Sequence, residues 1–173
     1  MRIKTGQNGF TLIELMVAIA ITGILAGISL YSYLQSRPAR TLRSTTRDVY
    51  SVMMQAKIEA LRRGESVAVW FNTANNTYTM FRDNGPGTSS NGVQDGAEPT
   101  LIPATSLPPL VIFDPAVGGD GVSFAGDVLI FSSRGIPVSP GGALGAGAVG
   151  FQTSNLAVQQ SVIVSTAGSI RTQ

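Results

Sequence analysis

Residues 10–34 read FTLIELMVAIAITGILAGISLYSYL, and residues 1–9 ahead of them read MRIKTGQNG. The longer stretch is almost wholly apolar. At about 1.5 Å per residue, a helix of that length crosses a hydrocarbon core of ~30 Å. The shorter stretch is polar and carries Arg2 and Lys4. A conventional secretory signal has an apolar region of about 7–15 residues with a small-residue cleavage site after it. Here the apolar run is longer and no such site follows Leu34. The junction that looks processable lies before the run, at Gly9–Phe10.

Glu14 is the only charged residue between Lys4 and Arg37. It stands at the head of the apolar run, where an ionised carboxylate needs a partner. Two readings fit. Thr11-x-x-Glu14 has the spacing of a capping box, in which hydroxyl and carboxylate satisfy free N–H groups of the first turn. Alternatively, Glu14 pairs with the new α-amino group of a neighbouring copy once Phe10 becomes the N-terminus. The two are compatible, because a carboxylate has two oxygens.

Beyond Leu34 the period stays helical. Leu42, Thr46, Val49, Met53, Ala56 and Ala60 recur every three or four residues and predict one buried face. Arg40, Arg43 and Arg47 form a basic stripe on another face, read as solvated. Gly64 after Arg62-Arg63 reads as a helix stop. The first proline, Pro38, is the expected site of any kink. Gly23 and Gly27 form a small-x-x-x-small pair suited to close helix approach.

After Gly64 the period becomes two. Strands are expected at Ser66–Phe71, Thr77–Arg82, Leu110–Phe113, Val122–Phe124, Val128–Ser132, Ala148–Gln152, Ser161–Ser165 and Ser169–Arg171. Asp83–Pro99 reads as a long loop and Pro137–Gly147 as a glycine-rich connection. The fold class is therefore α+β: a long N-terminal helix, half transmembrane and half amphipathic, packed on a small antiparallel head of one twisted sheet or two.

Composition removes several functions. The chain has no cysteine and no histidine, so disulfides, thiolate metal sites, Ser-His-Asp chemistry and HExxH zinc sites are excluded. Residues 1–63 hold nine Lys/Arg against three Asp/Glu, and residues 64–173 hold three against seven. An acidic head is a poor surface for a phosphate backbone. Gly145–Gly150 matches G-x-G-x-x-G, but a strand pattern follows where a dinucleotide fold needs a helix. Asp83, Asp95, Asp114, Asp120 and Asp127 lack the spacing of a calcium loop and read as turn residues. Trp70, Tyr78 and Phe81 read as core. No metal, cofactor or catalytic group is expected.

GFTLIELMVAIAITGILA at the N-terminus resembles type IV prepilins and type II secretion pseudopilins. The head extends the likeness. EALRRGESVAVWF (Glu59–Phe71), IFSSRGIPV (Ile130–Val138) and VIVSTAGSIR (Val162–Arg171) resemble the minor pseudopilin H and minor pilin FimT group (GspH/FimT). Major pilins and several pseudopilins carry a proline in mid-segment, which is missing here.

The resemblance implies cleavage by a prepilin peptidase after Gly9, N-methylation of Phe10, and an assembly role for Glu14. It implies a leader at 1–9, a transmembrane and filament-core helix at 10–34, a stem helix at 35–63 and a periplasmic head at 64–173. Expected partners are the peptidase, other major and minor pseudopilins or pilins, inner-membrane lipid and the inner-membrane assembly platform. The expected function is structural, in a type II secretion pseudopilus, with a type IV pilus subunit as the alternative. The expected place is the inner membrane, N-terminus cytoplasmic. That orientation follows the peptidase, because Arg37, Arg40, Arg43 and Arg47 close after the span would by themselves favour the cytoplasm. A DNA-capturing subunit would want a basic head, and only Arg82, Arg134 and Arg171 lie beyond residue 64.

Overall fold

The computed structural model of the chain describes residues 9–85, 90–96, 98–156 and 158–173. The leader residues Arg2 and Lys4 lie outside them, as does part of the expected loop at 83–99. The chain divides into two compact units between Arg37 and Pro38. Helix α1, Leu12–Arg63, contributes to both and includes Pro38.

The first unit is helical and apolar on its outside. Leu12, Ile19, Ile24 and Leu30 are each at least 60% exposed. Two of its hydroxyls bond within the helix: Thr22 donates to the Ala18 carbonyl at 2.7 Å and Ser29 to that of Leu25 at 2.8 Å. A helical segment apolar all round, its interior backbone groups paired along the helix, is built for lipid or for other helices.

The second unit packs the rest of α1 against two antiparallel sheets. Its strands are β1 (Val67–Asn72), β2 (Thr77–Arg82), β3 (Thr100–Ser106), β4 (Val111–Phe113), β5 (Val128–Phe131), β6 (Pro137–Val138), β7 (Gly147–Thr153), β8 (Gln159–Val164) and β9 (Ile170–Thr172). One sheet runs β3-β2-β1-β5-β6 and the other β4-β7-β8-β9. Leu42, Thr46, Val49, Met53, Ala56 and Ala60, the face expected from spacing, are all buried. Leu42, Val49, Met53, Ala56 and Ala60 share one core with Val67, Val69 and Phe71 of β1 and Val149 and Phe151 of β7. Gly64 ends the helix with φ +68°, its N–H on the Ala60 carbonyl at 2.9 Å, a conformation glycine adopts without a Cβ penalty. Lys57 reaches out of α1 to the Gly168 carbonyl at 2.7 Å and ties the helix to the β8–β9 turn.

Several expectations change. β3 matches no expected strand, because it carries Pro103 and alternates poorly, features that an exposed edge strand tolerates. Val138 within the glycine-rich connection belongs to the short edge strand β6. Val122–Phe124 is no strand, only a bridge from Val122 to Val149. Tyr78 and Phe81 are core, but Trp70 is 40% exposed. Neighbouring residues of β1 point to opposite faces. Val69 and Phe71 therefore face α1, and Trp70 points outward with Ala68.

That outer face carries a second small core of Ala68, Phe81, Val128 and Ile130. The segment after β2 closes over it. Gly92, at φ +76°, lies so near that a Cβ there would stand 2.6 Å from Val128 Cγ1. Two buried carboxylates hold this segment. Asp83 Oδ1 accepts the N–H of Ser90 at 2.9 Å and of Asn91 at 3.3 Å, and Oδ2 accepts that of Gly92 at 2.8 Å. Glu98 accepts the N–H groups of Gly85 at 2.7 Å and Asp95 at 3.0 Å.

Burial pushes the Asp83 carboxyl above its ordinary value, the three N–H donors oppose that rise, and the neighbouring Glu98 charge adds to it. A raised folded pKa means that the folded state holds the proton more tightly. The proton-linked part of Asp83's contribution to stability is therefore complete below the unfolded value of about 3.9. It is lost as pH rises through the higher folded value. Asp83→Asn should flatten that limb of a pH–stability curve. It should also cost about 1–3 kcal/mol at neutral pH, because one backbone N–H would then face the carboxamide NH2. Urea titrations of both proteins across pH measure this, and an unchanged curve would remove Asp83 as the clasp.

Candidate functional site: the head of the apolar helix

The residues singled out at the N-terminus lie within five positions of each other. Gly9 and Phe10 are exposed and non-helical, two residues ahead of α1, and Phe10 is 89% exposed. Their peptide bond is therefore outside the helical hydrogen-bond ladder. Thr11 and Glu14 form the capping box. The Thr11 N–H and hydroxyl each donate to Glu14 Oε2 at 2.9 Å, and the Glu14 N–H donates to Thr11 Oγ1 at 3.3 Å. Both bonds to the carboxylate fall on one oxygen. Among the described residues Oε1 accepts none, so capping leaves half of the carboxylate for another donor. Gly23 and Gly27 have nothing within 4 Å of where a Cβ would be.

The signals set aside in the sequence find ordinary places. From Gly147 on, the glycine motif lies in strand β7, Gly147–Thr153, with no helix after it. Asp114 and Asp120 accept the N–H groups of Ala116 and Val122 two residues on, as turn aspartates do. Among the described residues no group of three or more acidic side chains is placed to hold a metal ion.

The second unit holds what sequence reading did not collect. Arg40, Arg43 and Arg47 are exposed as expected. The β8–β9 hairpin brings Gln160, Thr172 and Gln173 beside Arg43 and Arg47, around a recess of ≈ 150 Å³. Arg171 lines an adjoining recess with Arg47. No local pattern signals this, because the partners come from opposite ends of the chain.

Comparison with known proteins agrees in both halves. The family model described as "Prokaryotic N-terminal methylation motif" matches residues 4–30, and that described as "Type II transport protein GspH" matches residues 45–168. Two curated relatives named "Fimbrial protein", from Pseudomonas aeruginosa, are 41% identical over 61 residues, which is 35% of this chain. The chain thus spans 39% of the length of these relatives. A solved structure of the minor pseudopilin EpsH from the type 2 secretion system of Vibrio cholerae aligns with a TM-score of 0.55 at 14% identity, over 76% of this chain and 95% of that one. A second EpsH structure gives 0.54 at 14% identity, over 78% and 96%. At that identity the likeness is one of fold.

An apolar helix headed by a capped glutamate and continuing into a two-sheet β unit is a pilin-like fold, the one shared with the EpsH structures. The GspH model covers well over half of the residues. The chain belongs to the GspH family of type II transport proteins.

Proposed function

We propose that the chain is a structural minor pseudopilin of a type II secretion system, assembling into the periplasmic pseudopilus. The observation that carries this is the GspH match over 45–168, joined in one chain to a methylation motif at 4–30. The leader 1–9 is removed by a prepilin peptidase after Gly9, and Phe10 is N-methylated. Residues 10–34 hold the subunit in the inner membrane, N-terminus cytoplasmic and the 64–173 head periplasmic. They then move into the filament core as the stem, 35–63, follows. Partners are the other pseudopilins and the inner-membrane assembly platform. The membrane is the reservoir and the filament the working state. The role is structural rather than enzymatic, consistent with a family of structural subunits and a sequence without His or Cys.

The Fimbrial protein relatives favour a second reading, a minor pilin of a type IV pilus. They cover only 35% of the chain.

Intact-mass and N-terminal analysis of the membrane-extracted protein, made with and without its prepilin peptidase, tests the processing. A chain beginning at methylated Phe10 is expected only with the peptidase. A chain beginning at Met1 in both strains would overturn the assignment of Gly9–Phe10. Deleting the gene then separates the machines: loss of secreted protein with pili intact supports the pseudopilus, and the reverse supports the pilus.

A further inference from the structure

Arg40, Arg43 and Arg47 stand on one exposed face of α1, and β9 adds Arg171 beside Arg47. Arg62, Arg63 and Arg82 all have carboxylate partners within 4 Å, whereas among the described residues none is found for these four. Asp48 is the one acidic side chain among the residues lining the three recesses around them, and Gln173 adds its main-chain carboxylate to the first, against the four arginines. The recess between Arg43 and Arg47 adds neutral polar groups from Gln160 and Thr172. A concave site with guanidinium and neutral donors and a positive balance fits a phosphate, because guanidinium matches phosphate oxygens two at a time.

Position in the chain selects the source of that phosphate. Arg40 and Arg43 come within ten residues of Leu34, where the apolar run ends. A membrane-anchored chain therefore holds them close to the headgroup layer. In the proposed orientation they lie on the side of the span where arginine is normally sparse. An anionic partner on that side offsets the cost. A nucleic acid duplex would need several phosphate contacts over a wider surface. Residues 64–173 oppose that with seven acidic against three basic side chains.

We propose that Arg43, Arg47 and Arg171, with Arg40 beside them, bind the phosphate of anionic phospholipid headgroups while the subunit resides in the membrane. The arginines dock the second unit on the bilayer and hold the subunit there until it is drawn into the filament. This rests on the membrane-anchored state proposed above, and not on which machine takes up the subunit.

The test uses the full mature chain in detergent micelles, titrated with phosphatidylglycerol or with phosphatidylcholine of the same acyl chains. Bound lipid is counted by native mass spectrometry. Wild type should prefer phosphatidylglycerol. The triple variant Arg43→Gln/Arg47→Gln/Arg171→Gln should lose that preference, a drop on the order of 100-fold if each arginine near an anionic surface contributes about fivefold. Arg62→Gln/Arg63→Gln, which removes the same kind of charge elsewhere on α1, should keep it.

Equal binding of both lipids by wild type overturns the proposal without needing any variant to fold. So does a triple variant that keeps the wild-type preference. Full displacement of lipid by inorganic phosphate at equal concentration would make this a free-anion site. Arginine-dependent binding of a short DNA duplex, without lipid preference, would make it a nucleic-acid site. Either result also overturns the proposal. Insertion of the same chain into lipid nanodiscs is scored separately, so failure of the anchor is distinguishable from failure of the arginine surface.

Discussion

Glu14→Gln is expected to keep the helix cap and to lose incorporation into the filament. Glutamine serves at the third position of a capping box, so its carbonyl can take over the Thr11 N–H and hydroxyl bonds now made by Oε2. What it cannot supply is a negative charge for a neighbour's α-amino group. The proposed pair would be desolvated in a filament core. Removing one partner of such a pair leaves the other charge uncompensated, a loss on the order of 100-fold or more in association. Thr11→Ala is the complementary variant: it weakens the cap and leaves the charge. Cross-linking of assembled subunits, by chemical reagents or through a pair of introduced cysteines, measures incorporation after N-terminal mass analysis has verified processing. Loss with Glu14→Gln and near-wild-type levels with Thr11→Ala assign the charge to assembly. Wild-type incorporation of Glu14→Gln would reduce Glu14 to a cap.

Phe151→Ala should destabilise the second unit by about 3–5 kcal/mol, the range for deleting a buried phenylalanine ring. Phe151 is fully buried in β7, its ring 5.6 Å from that of Phe113 in β4. Phe113 meets Phe71 of β1 edge-on at 6.3 Å, and Phe71 stacks with Phe124 at 6.4 Å. Four rings thus join the two sheets beneath α1. A small domain holds roughly 5–15 kcal/mol in total. Alanine at this position would therefore remove much of the margin, while Phe151→Leu, which fills most of the volume, should cost far less. Urea unfolding followed by circular dichroism compares the two. A Phe151→Ala loss no larger than that of Phe151→Leu would mean that the seam is loosely packed.

Local patterning made the helical half legible. A mostly apolar 25-residue run, a Thr-x-x-Glu spacing and a 3.6-residue apolar period each state a physical requirement within a few residues of chain. The structure places Thr11, Glu14, Leu42, Val49, Met53 and Ala60 as those patterns require. The well-alternating strands β1 and β2 were legible for the same reason. Edge strands β3 and β6 were not, because an exposed edge asks little of its side chains. Trp70 was misread as core because its apolarity was visible and its facing was not. That facing depends on which side of β1 the helix covers.

The sequence by itself therefore determined the anchor, the capped glutamate, the buried helix face and the family resemblance, all consequences of short-range spacing. Only the tertiary structure decided the split into two sheets, the ring seam between them, the clasp of Asp83 and Glu98 over the outer face, and the meeting of Arg43 and Arg47 with Arg171. Each of these joins residues far apart in the chain. Such contacts arise from burying apolar surface cooperatively, which leaves no local signature in the residues that it brings together.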